Sequence, residues 1–441
     1  MNDTVRIRRS LLHALEPIAV GTPDAESLLS YIYRLAMSHC VSVRELINRV
    51  TERMGWEQRA RYSVQWHNFN PHSTGEVAEK WSSGLSALTS VERLDKLTLL
   101  PWRKVISQQG LTAKPSRWCS QCFAQDRSDG RDPYFRLAWD LGDVDVCPRH
   151  ATRLTDVCPD CGRTNVRNTM TYVVPGWCSS CGAFLGDAKD LTLANSADVW
   201  KSSQIGSMLA THARLHSALG PEPMISGIVR LVSNLDGGNN AAFARRIGLA
   251  KTTVHYWLQQ GGIPSMAGHL RIASQTGVTL VELLTGQVGD EPRTSAEIPA
   301  LATLFPDRKQ RASPRTHNVE QINMQLKALI RSNVPVSAAE AARRLNVHHR
   351  QLYVFADQAA RSLSHKWTQH RQHRGIESAE RARKLIEPAL KAIAAEGKSA
   401  NLRLLMHRIP VGTPGILKHA IALIKEAKLS TGSDEQIHSE D

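Results

Sequence analysis

The chain has 441 residues, 41% hydrophobic and 22% charged, with a formal net charge of +14. That length predicts two to four domains with room for true cores. No run reaches the roughly 18 apolar residues of a membrane span, and the N-terminus MNDTVRIRRSLLHALEP lacks a signal-peptide cleavage pattern, so a soluble, cytoplasmic protein with no membrane partner is expected.

Residues 1–116 read as a helical N-terminal domain. In Glu26–Leu35, Leu28, Tyr31, Ile32 and Leu35 fall at i, i+3, i+4 and i+7, which makes one apolar helix face. Asp24 stands just ahead as a candidate cap, and a second helical pattern runs from about Leu85 to Leu100. Cys40 sits alone in an apolar helical run and reads as a buried, inert thiol.

Residues 117–190 change character. Seven of the eight cysteines lie between Cys119 and Cys181, and clustered pairs in an intracellular chain read as metal ligands. Cys119-x2-Cys122 is followed after 24 residues by Cys147-x2-His150, and Cys158-x2-Cys161 after 16 residues by Cys178-x2-Cys181. Two residues between ligands turn both side chains toward one ion at the tip of a tight knuckle, and each set supplies the four N/S donors that zinc takes. Gly162 and Gly182 follow the second cysteine of a pair, where positive φ is useful. Chain order pairs the ligands as written; interleaved pairing is the alternative. With all four positions filled by protein, both Zn2+ ions would be structural. Pro133–Trp139 (PYFRLAW) reads as hydrophobic packing around the metal.

Residues 191–236 read as a helical connector and 237–290 as a helix-turn-helix domain. In Phe243–Trp257, Ala244 permits a close helix crossing, Gly248 takes the turn, and Ile247, Leu249, Val254 and Trp257 form the core. Lys251, Thr252, Thr253, His255 and Gln259 would then face a DNA major groove. Residues 291–320, rich in proline and polar residues, read as a linker.

Residues 321–430 read as a tandem helix-turn-helix-like DNA-binding region. Ala341–Phe355 aligns without gaps on the first unit, with Asn346 at the glycine position, because asparagine also tolerates positive φ. His349, Arg350, Gln351 and Tyr353 would face outward, with Arg350 suited to guanine and Gln351 to adenine. Arg343, Arg344, Arg371 and Arg374 would contact phosphates. A weaker third copy covers Leu405–Val411 with Ile416 in the core position. From Leu301 to Ser430 there are 23 Lys+Arg against 9 Asp+Glu, so this segment carries the whole excess charge, and a localised basic field favours a polyanion. Residues 431–441 read as a disordered tail. The fold class is mainly α, with a helical N-terminal domain, a double zinc-binding module and C-terminal helix-turn-helix units.

Three stretches together resemble the TniQ/TnsD family of transposon target-site selection proteins: Glu26–Leu35, the block Arg117–Gly162 with its PYFRLAW insert, and the tail AARRLNVHHRQLYVFAD. The resemblance implies a non-enzymatic adapter that binds double-stranded target DNA and recruits an AAA+ transposition ATPase (TnsC/TniB-like), which in turn brings in the transposase. In some systems such selectors read a site directly; shorter members dock on an RNA-guided complex. The two reading units of the tail favour direct reading. The 237–286 unit, which resembles the repressor-like fold, departs from the family pattern. The competing reading is a zinc-containing helix-turn-helix transcriptional regulator. No carboxylate set suggests a DNA-cutting enzyme.

Overall fold

The computed structural model describes residues 10–39, 41–56, 70–113, 116–164, 166–167, 173–187, 191–215, 217–289, 299–306, 317–332, 335–409, 419–420, 423–424 and 426–427. Cys40, residues 410–418 of the third helical copy and the 431–441 tail lie outside them. The fold is mainly helical and divides into two compact units, 1–156 with 186–308 and 157–185 with 309–441.

The first unit opens with α1 (Leu28–Ser38), α2 (Val43–Arg53) and α3 (Glu76–Thr89). Ser27, not Asp24, caps α1: its Oγ accepts the Ser30 N–H at 3.2 Å, satisfying one orphan donor of the first turn. Asp24 lies too far upstream and instead pairs with Arg149 at 2.9 Å. The expected stripe Leu28, Tyr31, Ile32 and Leu35 is buried, but so are Leu29 and Tyr33, so α1 is covered on nearly every side. Its second cover is the 133–139 segment. Ser27 N–H donates to Phe135 O (3.0 Å) and Leu137 N–H to Ala25 O (2.8 Å), a short antiparallel bridge joining residues about a hundred positions apart. The helical pattern read through Leu100 breaks at Ser90, whose left-handed φ of 58° ends α3; tight 3-10 turns follow at Leu94–Leu97 and Leu100–Trp102.

Next come α4 (Ser120–Ser128) and the two-residue strands β1 (Val146–Cys147) and β2 (Thr152–Arg153), antiparallel with Cys147 opposite Thr152. After them lie α5 (Ser196–Ala210), α6 (Pro221–Asp236), α7 (Asn240–Arg246), α8 (Lys251–Gln259), α9 (Met266–Thr276), α10 (Leu280–Thr285) and α11 (Leu301–Leu304). These later helices share one hydrophobic core with the front of the chain: Leu99, Trp102, Val105 and Ile106 pack in the same cluster as Phe243, Ile247, Val254 and Leu270. Ser107 N–H donates to Pro264 O at 3.0 Å, and His269 Nε2–H to Val105 O at 2.8 Å. Part of the segment read as a linker folds back as well, with Leu304 buried and Phe305 under the Arg271 guanidinium at 4.3 Å.

The second unit holds α12 (Val319–Arg331), α13 (Ala338–Arg344), α14 (His349–Phe355), α15 (Asp357–Ala395) and α16 (Leu402–Arg408). α15 has 39 residues, which gives a length of about 58 Å at ~1.5 Å per residue. Its start packs with α12–α14 around Leu326, Ala341, Leu352, Ala360 and Leu363. Its far end buries Ala382, Ile386 and Ile393, and α16 buries Leu405.

One buried ion pair and two buried neutral histidines bear on the stability of the first unit. Arg136 and Asp126, each 1% exposed, form a bidentate pair at 2.6 and 2.7 Å. Asp126→Ala leaves a buried guanidinium without its partner and should cost about 3–5 kcal/mol in denaturant unfolding; a loss under about 1 kcal/mol would mean Arg136 reaches water.

His212 and His269 are buried without charge. Trp102 Nε1–H donates to His212 Nε2, and His212 Nδ1 faces Lys96 O at 3.0 Å, which fits the neutral Nδ1–H tautomer. Burial pulls both imidazoles from 6.5 down to about 4, with the backbone hydrogen bonds offsetting only part of it. The unfolded chain therefore binds more protons between these values. The stability is fully present above about pH 6.5 and is lost as pH falls toward 4, with a combined slope approaching about 2.7 kcal/mol per pH unit. His269→Gln should remove about half of that slope in melts across this window; a slope equal to wild type would contradict a neutral buried His269.

Candidate metal centres and nucleic-acid interface

The first centre is built by a helix start and a hairpin turn. Cys119 is the N-cap of α4, which puts Cys122 on the same turn three residues on. Cys147 ends β1, and His150 lies in the turn to β2, closed by Ala151 at φ 49°. The Cys122 and Cys147 sulfurs are 3.6 Å apart, and His150 Nδ1 lies 3.4 Å from Cys119 and Cys122 and 3.5 Å from Cys147.

The second centre is two matching knuckles. Gly162 N–H returns to Cys158 O (3.0 Å) and Gly182 N–H to Cys178 O (2.8 Å), with both glycines at positive φ, 65° and 76°. The sulfurs of Cys158 and Cys181 are 3.7 Å apart and those of Cys161 and Cys178 3.8 Å.

In each set the four donor atoms lie within 4.8 Å of one another, and the sets follow chain order without interleaving. A regular tetrahedron with metal–sulfur bonds of about 2.3 Å has edges of about 3.8 Å, so the donors already stand at the corners an ion of that size requires. Their mutual hydrogen bonding splits the thiols: Cys122 and Cys147 hold Cys119 well below the usual thiol range, and the same contacts push Cys122 up. Several thiolates this close need a cation to ionise together.

The outer contact of Gln125 with His150 escaped the sequence reading. His150 turns its other nitrogen, Nε2, to Gln125 Oε1 at 3.3 Å, and Arg149 holds the same oxygen at 2.6 Å. This outer contact fixes the ring with Nδ1 toward the sulfurs. Gln125 sits three residues after Cys122 on α4, a spacing that places it on the ligand's side but does not single it out. Behind the helix, Phe123 meets Phe135 and Trp139 edge to face at 5.4 and 5.3 Å, so PYFRLAW packs against the helix that carries Cys122. Arg136, from the same insert, lies 4.0 Å above the Tyr134 ring and pairs with Asp126 of α4.

The expected DNA-contacting residues divide. On α8, Lys251, Thr252, His255 and Gln259 are exposed, Thr253 is half-buried, and Val254 and Trp257 point inward. The α7–α8 turn is made by Gly248 at φ 66°, where an added Cβ would meet Leu301 at 2.8 Å. Arg271 braces it by donating to Ile247 O and Gly248 O. The α13–α14 turn is made by Asn346 at φ 52°.

On α14, His349 and Arg350 are exposed, but Gln351 and Tyr353, expected to face outward, are half-buried. Gln351 Oε1 accepts the His348 N–H at 2.9 Å in a capping box, and the Tyr353 hydroxyl meets Ser364 Oγ of α15 at 2.8 Å. Arg343 and Arg344 both pair with Glu340. Arg371 is exposed, and Arg374 is half-buried and paired with Asp160.

Fold and site together define a mainly helical protein with two four-donor cysteine/histidine centres able to hold metal ions. Residues 17–154 match the family model described as TniQ. The chain thus carries a TniQ domain, of a family associated with DNA transposition, running from just before α1 to just after β2 and enclosing the first centre. No curated protein matches the chain. No described helix is long and apolar enough to cross a membrane.

Cys161→Ser should lower the metal content of the purified chain by one ion, while Gln125→Ala should keep the stoichiometry and weaken the first centre about 10–100-fold. Metal analysis with a competing chelator reads both; an unchanged count in Cys161→Ser would remove that ligand assignment.

Proposed function

We propose that this chain is a target-site selection protein for DNA transposition, which binds double-stranded target DNA and recruits an AAA+ ATPase regulator of the transposase. The observation that carries the reading is a TniQ domain sharing one hydrophobic core with a helical pair whose second helix, α8, exposes polar and basic residues. Both metal ions are zinc: the donors are cysteine sulfur and one histidine nitrogen, and each set is closed by four protein ligands, with no position left for a reactive water. The ions hold the fold, and the protein is not an enzyme.

The two helical pairs, α7–α8 and α13–α14, are helix-turn-helix units. Lys251, Thr252, His255 and Gln259 read or position DNA from the first. From the second, Arg350 and His349 reach base edges while Arg343 and Arg344 approach phosphates. Arg350 suits base reading because it is exposed and its guanidinium has no partner among the described residues. With two such units, the chain reads a site directly and needs no RNA-guided complex to be placed.

In vitro selection of duplex sites with the full chain at stated salt, together with co-purification of an AAA+ ATPase, tests the reading. Arg350→Ala should cost about 1–3 kcal/mol on the selected site and relax one base position. A transcriptional regulator would bind a site but retain no ATPase, and a chain that bound neither would end the proposal.

A further inference from the structure

Within the second unit, the four-cysteine knuckle lies against the middle of α15. Asp160, in the first knuckle turn, pairs with Arg374 of the helix. A cavity of about 210 Å³ opens at this seam, with Arg163, Ser179 and Ser180 on the knuckle side and Trp367, His370 and Arg371 on the helix side.

Cys161 and Cys181 of the four-cysteine centre also line this cavity. The carboxylates of Asp160 and Glu377 both converge on Arg374. Arg163 and Arg371 pair with no carboxylate among the described residues. Arg163 is not loose, because its guanidinium donates to Ser180 Oγ at 2.9 Å and is thereby held at the mouth of the cavity. Arg371 is exposed and makes no hydrogen bond or ion pair with any described residue. Two unmatched guanidiniums, hydroxyls and an indole wall form an anion-binding surface of the kind that meets sugar and phosphate.

Position along the scaffold indicates which anion. α14, with exposed His349 and Arg350, runs through Ala356 directly into α15. Arg371 lies fourteen helical steps beyond Asp357, about 21 Å at ~1.5 Å per residue. That is less than one duplex turn of about 34 Å, so cleft and α14 face fall within one footprint.

We infer that this cleft binds the sugar–phosphate backbone of duplex DNA, so that the four-cysteine knuckle is part of the DNA grip. The inference rests on reading the second unit as a DNA-binding module, and goes beyond it by making the knuckle and Arg163 contact residues.

The test is fluorescence anisotropy of the full chain with a labelled duplex over a salt series. Arg163→Ala and Arg371→Ala should each lower the slope of log affinity against log salt by about 0.9 and weaken selected and unrelated duplexes alike, several-fold. Arg163→Lys should keep the wild-type slope. Metal content equal to wild type in each variant separates a lost contact from a collapsed knuckle. Both alanine variants keeping the wild-type slope, while Arg350→Ala still relaxes one base, would overturn the cleft and leave the proposed function standing. A wild-type chain that binds no duplex would overturn both. Inorganic phosphate that competes through Arg371, with the duplex slope unchanged in the variant, would assign the cleft to a free anion and likewise overturn the inference.

Discussion

Sulfurs held 3.6 to 3.8 Å apart and turned toward one another are tolerable as thiolates only around a cation, and much of the architecture follows from that constraint. Around the first centre, an ion held by the four donors would tie the start of α4 to the β1–β2 turn. That would fix Phe123 beneath Phe135 and Trp139. Those rings anchor the 135–137 segment, which is hydrogen-bonded to residues 25–27 and closes over α1. The donor cluster near residue 120 is thereby linked through packed rings to the cover of the N-terminal helix. The strands are two residues long and would not hold this geometry alone.

Electrostatics inside the first unit follow the same logic of compensation. Arg136 is almost fully buried, and it is tolerated because Asp126 binds it in a fork and Tyr134 supplies an aromatic face. His212 and His269 are buried as neutral rings whose hydrogen bonds tie distant segments, Lys96 to the end of α5 and Val105 to α9. These contacts and the common core fix the α7–α10 region to the TniQ domain as one body. Helix α8, mounted this way, is positioned by packing rather than by a flexible tether. Each compact unit combines one cysteine-rich centre with one pair of helices joined by a left-handed turn.

The legible parts of the sequence were those in which a local pattern dictates chemistry. Ligand identity and spacing foretold both donor sets, because two intervening residues suffice for a knuckle whatever surrounds it. Gly248 and Asn346 announced their turns, because few residues accept positive φ. Three-dimensional partners were not legible. Nothing local to Arg136 shows that Asp126 would face it. Tyr353 looked outward on the helical wheel, yet the start of α15 supplies Ser364 and draws it in. The 117–190 stretch reads as one cysteine-rich run, but its second half packs with the C-terminal helices, because burial follows long-range complementarity rather than proximity along the chain.

The dependence of the fold on ligation can be tested on the unaltered chain by native mass spectrometry. The account predicts two bound divalent ions per polypeptide and a folded charge-state distribution that broadens when a strong chelator strips them. A chain that carries no metal, keeps the folded distribution and leaves its clustered thiols open to alkylation would contradict it.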